Sequence, residues 1–229
     1  MPPKKENKVL HFFPGQKKML WVIDGSPAIN VEAWGGESPD PKIDYGRMKP
    51  RKTTPGHYVI YSVFAYRTNT WPFSRIPWGT AIKLSADGSK LLYNTGILSK
   101  PWKPIAELIP EATPDAVREY YHRLYGESKI PDQWLFNDFG VKAIRYFQDP
   151  NHNKRLDKNE RLSGEMIHTT PDDEAATTLG KDVNLKSSHG CIHLKPHDRD
   201  ALEKAGAFIK GTDLTIHQYD EKIPKEFAD

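Results

Sequence analysis

One cysteine occurs in the 229 residues, within Ser187-Ser188-His189-Gly190-Cys191-Ile192-His193, and His168 lies upstream in Met166-Ile167-His168-Thr169-Thr170. A lone thiol with an imidazole available to take its proton is the minimum equipment for a nucleophilic cysteine. Gly190 leaves room for a substrate carbonyl to approach. Successive N–H groups around His189, Gly190 and Cys191 could then face a developing oxyanion. The competing reading of a single cysteine is a small buried hydrophobe. The Ser-Ser-His-Gly run is polar and turn-like, unlike a core strand, and that favours the nucleophile.

The histidines sort by context. His168 follows apolar Met166-Ile167 and precedes Thr169-Thr170-Pro171, so it ends a strand at a rim, where a general base can stand. His189 is placed to orient substrate or tune the thiol. His193 lies two residues past Cys191, and in an extended segment their side chains share a face. His152, His197 and His217 read as surface residues. Zinc held by Cys191 and several histidines is the rival chemistry, but the chain lacks paired ligand spacing.

A different chemistry is written at Asp149-Pro150-Asn151-His152-Asn153-Lys154-Arg155-Leu156-Asp157-Lys158-Asn159-Glu160. Oxygen-bearing side chains of Asp149, Asn151, Asn153, Asp157 and Glu160 fall at positions 1, 3, 5, 9 and 12 of a twelve-residue loop, the spacing of an EF-hand-like calcium site. Lys154 replaces the glycine that gives the calcium loop its sharp turn. A solvated turn rich in Asn and Asp explains the same residues without a metal and is the commoner case. The thiol chemistry needs no cofactor; calcium would be structural.

Around these residues the pattern is β-rich with a helical middle. Met19–Val31 reads as two strands joined by a tight Asp24-Gly25 turn. Tyr58–Tyr66, Ala81–Leu84 and Leu91–Tyr93 carry apolar and aromatic runs between Pro, Gly and Asn breaks, with a turn at Asp87-Gly88-Ser89. Thr113 can cap a helix beginning at Pro114, and Val117, Tyr120, Tyr121 and Leu124 form one apolar stripe ending near Gly126. Pro196 to Gly206 reads as a helix and 211–216 as a closing strand. Residues 1–18 are expected as an N-terminal tail or edge extension, 19–220 as one catalytic domain with a helical, aromatic insertion over 97–147, and 221–229 as a tail. The aromatic residues of the insertion, Trp102, Tyr120, Tyr121, Tyr125 and Trp134, are expected to pack as a core rather than to line a groove for sugars or peptides.

Composition bounds the rest. A net charge of +3 fits an anionic polymer partner without requiring one and gives no sign of nucleic-acid binding. No apolar run is long enough to span a membrane. Met1-Pro2-Pro3-Lys4-Lys5-Glu6-Asn7-Lys8 is charged, and no 7–15-residue apolar run of a secretory signal follows. One cysteine excludes an internal disulfide.

His168, a spacer and then Ser188-His189-Gly190-Cys191-Ile192 resemble the signature of the L,D-transpeptidases of peptidoglycan, the YkuD-type catalytic domain. The spacer is a few residues longer than usual, as a larger loop would make it, and His193 stands where the family carries Asn or Arg. The hairpin at 19–31 and Thr54-Pro55-Gly56-His57-Tyr58 are similar to the family's opening elements. The resemblance implies a mainly β, sandwich-like catalytic domain with some helix. It also implies that Cys191 forms a thioester with a stem-peptide donor, with His168 as base and Thr169 holding the imidazole. Ser188, His189, Gly190 and His193 would serve oxyanion and substrate. Peptidoglycan stem peptides are then the partners, and an amine acceptor gives a cross-link or an exchanged residue. Water as acceptor gives an L,D-carboxypeptidase, and a non-catalytic, calcium-stabilised wall-binding module is the reading that leaves Cys191 inert. The implied place of action is the periplasm or cell wall. With no signal peptide in the sequence, a leader has been removed, or export is specialised, as for an antibacterial effector with a secretion or immunity partner, or the protein works inside the cell on wall precursors or fragments.

Overall fold

The computed structural model describes residues 6–44 and 49–227. The chain divides into two compact units, the first made of Met1–Val63, Ile144–His168 and Asn184–Asp229, the second of Phe64–Ala143 and Thr169–Val183. Among the described residues the strands are, in chain order, β1 Lys8–Phe13, β2 Lys18–Ile23, β3 Ser26–Trp34, β4 Gly56–Phe64, β5 Ile82–Leu84, β6 Leu91–Asn94, β7 Trp102–Pro104, β8 Ala143–Gln148, β9 Leu162–His168, β10 Ile192–Leu194 and β11 Asp213–Ile216. The helices are α1 Pro114–Tyr125, α2 Pro171–Thr178 and α3 Pro196–Lys204. Strand exceeds helix, 29% against 19%, so the fold is mainly β with some α.

In the first unit eight strands close into a barrel in the order β1-β11-β4-β8-β9-β10-β3-β2. Closure leaves no unpaired edge in this sheet. The β2–β3 turn places Asp24 at φ 50 and Gly25 at φ 80, the two left-handed residues that a tight hairpin needs to match strand twist. Along β2 the side chains alternate between two apolar clusters. Met19 and Trp21 enter the barrel core with Leu10, Ile60, Tyr146, Ile167, Ile192 and Leu214. Leu20 and Val22 face the other way onto Phe13, Ile223 and Phe227. Each such fully buried side chain contributes about 1.5–3 kcal/mol.

Two expectations about the ends change. Residues 8–13, expected within a tail or edge extension, form β1, which pairs parallel with β11 and antiparallel with β2. Leu10 and Phe12 supply a period-two inner face, while Phe13 packs on a second cluster. The expected C-terminal tail is anchored through Ile223 and Phe227. The first five and last two residues lie outside the described residues.

The second unit carries a three-stranded sheet, β5-β6-β7, together with α1 and α2. It begins at Phe64 and returns at 169–183, so the insertion expected over 97–147 is one part of a larger body. Helix α1 has the expected caps: Thr113 accepts the Ala116 N–H, and Gly126 closes the helix at φ 78. Tyr121, Tyr125 and Trp134 are buried. The Trp134 indole donates to the Phe73 carbonyl at 2.8 Å, and Tyr120 stacks on Phe136. Tyr120, Tyr121, Tyr125 and Trp134 pack in this core, whereas Trp102 is half-buried with Lys83 Nζ 4.1 Å over its ring.

Candidate active site

The site grows from the parallel pair β9–β10, in which Ile192 faces Ile167 and His193 faces His168. Both isoleucines are fully buried in the barrel core. Side chains alternate along a strand, so Met166, His168 and His193 take the opposite face, and Cys191, just before β10, comes opposite Met166. The rings of His168 and His193 meet edge-on with centroids 4.8 Å apart. By register His168 and Cys191 are therefore diagonal neighbours on one face of the parallel pair.

Burial pushes the Cys191 thiol up to about 11. The Met166 N–H, which bonds to it, acts the other way, the nearby Glu165 carboxylate raises it further, and the Arg51 guanidinium lowers it. A thiol shifted in this direction favours the neutral form at rest, and acting as a nucleophile would take a base. His193 also sits below the usual histidine range, first through burial and then through His189, while its bond to Lys186 opposes the shift. Its Nδ1 donates to the Lys186 carbonyl at 3.0 Å. That bond leaves Nε2 of the neutral ring as an acceptor. Sequence reasoning put His193 on the right face but did not find Lys186, because the partner is a backbone carbonyl with no side-chain signature.

The turn before the thiol is fixed from several directions. Ser188 donates its N–H to the Gly35 carbonyl at 3.2 Å. Its hydroxyl accepts the Gly190 N–H at 3.1 Å and donates to the Cys191 carbonyl. Gly190 adopts φ 111, a conformation that favours glycine, and a Cβ there would stand 2.9 Å from Arg51 Nε and 3.1 Å from Glu165 Oε1. Gly36, at the end of β3, is needed for close approach: a Cβ would stand 1.8 Å from the Arg51 carbonyl oxygen. The Gly36 N–H donates to Thr53 Oγ1 at 3.0 Å, and Tyr219 ties Thr53 to the Gly36 carbonyl.

Beneath Gly190 lies a carboxylate that the sequence did not disclose. Glu165 is 3% exposed and accepts the Thr54 N–H at 3.1 Å and the Thr54 hydroxyl at 2.9 Å. Arg51 reaches Glu165 Oε1 at 3.6 Å and donates from Nε to the His189 carbonyl at 2.9 Å. Thr54 lies in the Thr-Pro-Gly segment singled out above; Glu165 and Arg51 carry no local motif.

The predicted residues thus divide. Cys191, His168, His193, Ser188 and Gly190 meet around β9–β10. His189 contributes its carbonyl to Arg51 and is itself exposed. Thr169 is buried in the second unit, where its hydroxyl donates to Glu174. His217, expected at the surface, instead stacks on Phe13 at 3.8 Å and hydrogen-bonds His11 at 3.0 Å.

On the 149–160 loop, Asp149 accepts the N–H groups of Asn153 at 3.2 Å and Lys154 at 2.7 Å. The amides of Asn151 and Asn153 both donate to Asp157, and the Asp157 N–H to Glu160. Lys154 takes the left-handed conformation, φ 59, where a calcium loop keeps glycine. Among the described residues no group of three or more His, Cys, Asp or Glu side chains is gathered to hold a metal ion.

A mainly β barrel with a His–Cys surface on a parallel strand pair and a glycine turn before the thiol defines a candidate cysteine acyl-transfer domain. The L,D-transpeptidase catalytic domain, YkuD, matches residues 7–216, and the chain belongs to that family. Similar solved structures include an L,D-transpeptidase from Xylanimonas cellulosilytica, 11% identical over 94% of this chain and 63% of that one, with a TM-score of 0.40. L,D-transpeptidase 1 of Mycobacterium tuberculosis is 12% identical over 92% of this chain and 62% of its own, TM-score 0.36. An L,D-transpeptidase from Stackebrandtia nassauensis is 14% identical over 94% and 57%, TM-score 0.37. The chain spans less than two thirds of the length of each of these. No curated protein matches it.

Proposed function

We propose that this chain is a peptidoglycan L,D-transpeptidase with Cys191 as nucleophile. The observation that carries the reading is the placement of the only cysteine two rungs from the His168–His193 pair, on the same face and at the end of a turn locked by Ser188. His168 takes the thiol proton, and the thiolate attacks the carbonyl of the third stem residue. Because the Gly190 N–H already bonds to Ser188, the Cys191 N–H is the donor we assign to the oxyanion. The C–N bond breaks as His168 protonates the departing amine of D-Ala, leaving a thioester. An acceptor amine then attacks the thioester, gives its proton to His168 and expels the thiolate, producing a 3–3 cross-link or an exchanged amino acid. The Thr169 hydroxyl is spent on Glu174, so the carbonyl of Thr169 is the group we assign to holding the imidazole tautomer.

Water in place of the amine would release tripeptide, and the balance between the two acceptors is set by how dry the thioester is kept. The place of action that this substrate requires is the periplasm or cell wall. Incubation with a tetrapeptide donor followed by intact-mass measurement tests the reading. An acyl adduct on Cys191 is expected, and its absence under turnover conditions would contradict it.

A further inference from the structure

Arg51 has no part in the acyl transfer just described, yet its guanidinium lies over Gly190, the residue before the nucleophile. We propose that Arg51 is a carboxylate-binding residue of this site, selecting donors whose leaving residue ends in a free carboxylate. The inference rests on the acyl-transfer reading for the identity of the substrate, but not for the existence of the anion site.

A guanidinium has five N–H donors. One, on Nε, is used on the His189 carbonyl at 2.9 Å. The nearest carboxylate, Glu165, stands 3.6 Å from a terminal nitrogen, and its oxygens are already engaged by the N–H and hydroxyl of Thr54. The Arg51 side chain remains 60% exposed. Donors are therefore left facing solvent beside the reacting sulfur, on a side chain already aimed by two fixed partners, so little ordering cost is left for a ligand to meet. Planar donors on a preorganised fork suit a carboxylate, which they can engage with two parallel bonds. In the proposed reaction the leaving residue is C-terminal, so its carboxylate is one carbon from the scissile nitrogen, in the volume next to Gly190 and Cys191. Lysine in place of arginine would keep the charge and lose the fork.

The chain's single cysteine gives a test that needs no substrate. Iodoacetate and iodoacetamide alkylate the same thiolate, so any change in thiolate fraction cancels in the ratio of their rates, while only iodoacetate carries a carboxylate. At low ionic strength the ratio should fall about fivefold in Arg51→Gln and less in Arg51→Lys. In the wild type it should fall as salt is raised from about 0.01 to 1 M. A ratio unchanged both by Arg51→Gln and by salt overturns the anion site, and the salt arm decides even where the variant folds poorly. With substrate, kcat/KM for the tetrapeptide should exceed that for its C-terminal amide by about tenfold. Arg51→Gln should erase the preference by losing about tenfold more activity on the acid than on the amide; equal losses on both donors would assign Arg51 a purely structural role. A wild type that turns over neither donor removes the transpeptidase reading, while the alkylation ratio still decides the anion site.

Discussion

Ser188 Oγ accepts the Gly190 N–H at 3.1 Å while donating to the Cys191 carbonyl, so one hydroxyl holds both sides of the turn that presents the Cys191 thiol. Ser188 is 4% exposed, and losing its hydroxyl would leave a buried N–H and a part-buried carbonyl without this partner. Ser188→Ala should cost about 1–3 kcal/mol in stability. It should also lower kcat by about tenfold or more, because small misplacements of a nucleophile are expensive. Chemical denaturation and steady-state kinetics on the same sample separate the two effects. Full kcat with reduced stability would show that the turn keeps its shape without the hydroxyl.

Two imidazoles compete for the role of base. His168→Ala should lower kcat by about 10²–10⁴-fold, the usual worth of a positioned general base. His193→Ala should cost less, since its ring, tied to the Lys186 carbonyl, is assigned to substrate and to packing on His168. A larger loss in His193→Ala than in His168→Ala would transfer the base to His193.

Much of the barrel was legible because its strands are apolar and aromatic runs between Gly, Pro and Asn breaks, and the 24–25 turn and the caps of α1 are short-range chemistry. Strand β1 was not, since Lys8-Val9-Leu10-His11-Phe12-Phe13 is short and follows a charged, proline-bearing stretch, and only pairing with β2 and β11 reveals its face. In the candidate site, Ser188-His189-Gly190-Cys191 is contiguous and stood out. Glu165 did not, because its meaning depends on Thr54, 111 residues away, and Arg51 depends on a carbonyl 138 residues away. Long-range pairing of ordinary charged residues leaves no local signature.

His11 supplies a pH prediction. Burial, aided by His217, holds it down from 6.5 to about 4. Its folded state therefore resists a proton that the unfolded chain accepts, so stability is fully present above pH 6.5 and is lost as pH falls from 6.5 toward 4. Melting temperature measured across that window should decline less steeply in His11→Phe than in the wild type. Parallel curves would show that His11 does not contribute to the acid sensitivity.

The calcium reading of the 149–160 loop predicts a higher melting temperature in Ca²⁺ than in EDTA, an increment lost in Asp157→Asn. Identical melting in Ca²⁺ and EDTA would make the loop a self-bonded turn.

The products formed from a disaccharide-tetrapeptide muropeptide, read by mass spectrometry beside Cys191→Ala, test the transpeptidase reading most directly. A 3–3 linked dimer with release of D-Ala is expected in the wild type and neither in the variant. Unchanged substrate in both samples, or dimer formed equally by Cys191→Ala, would contradict that reading.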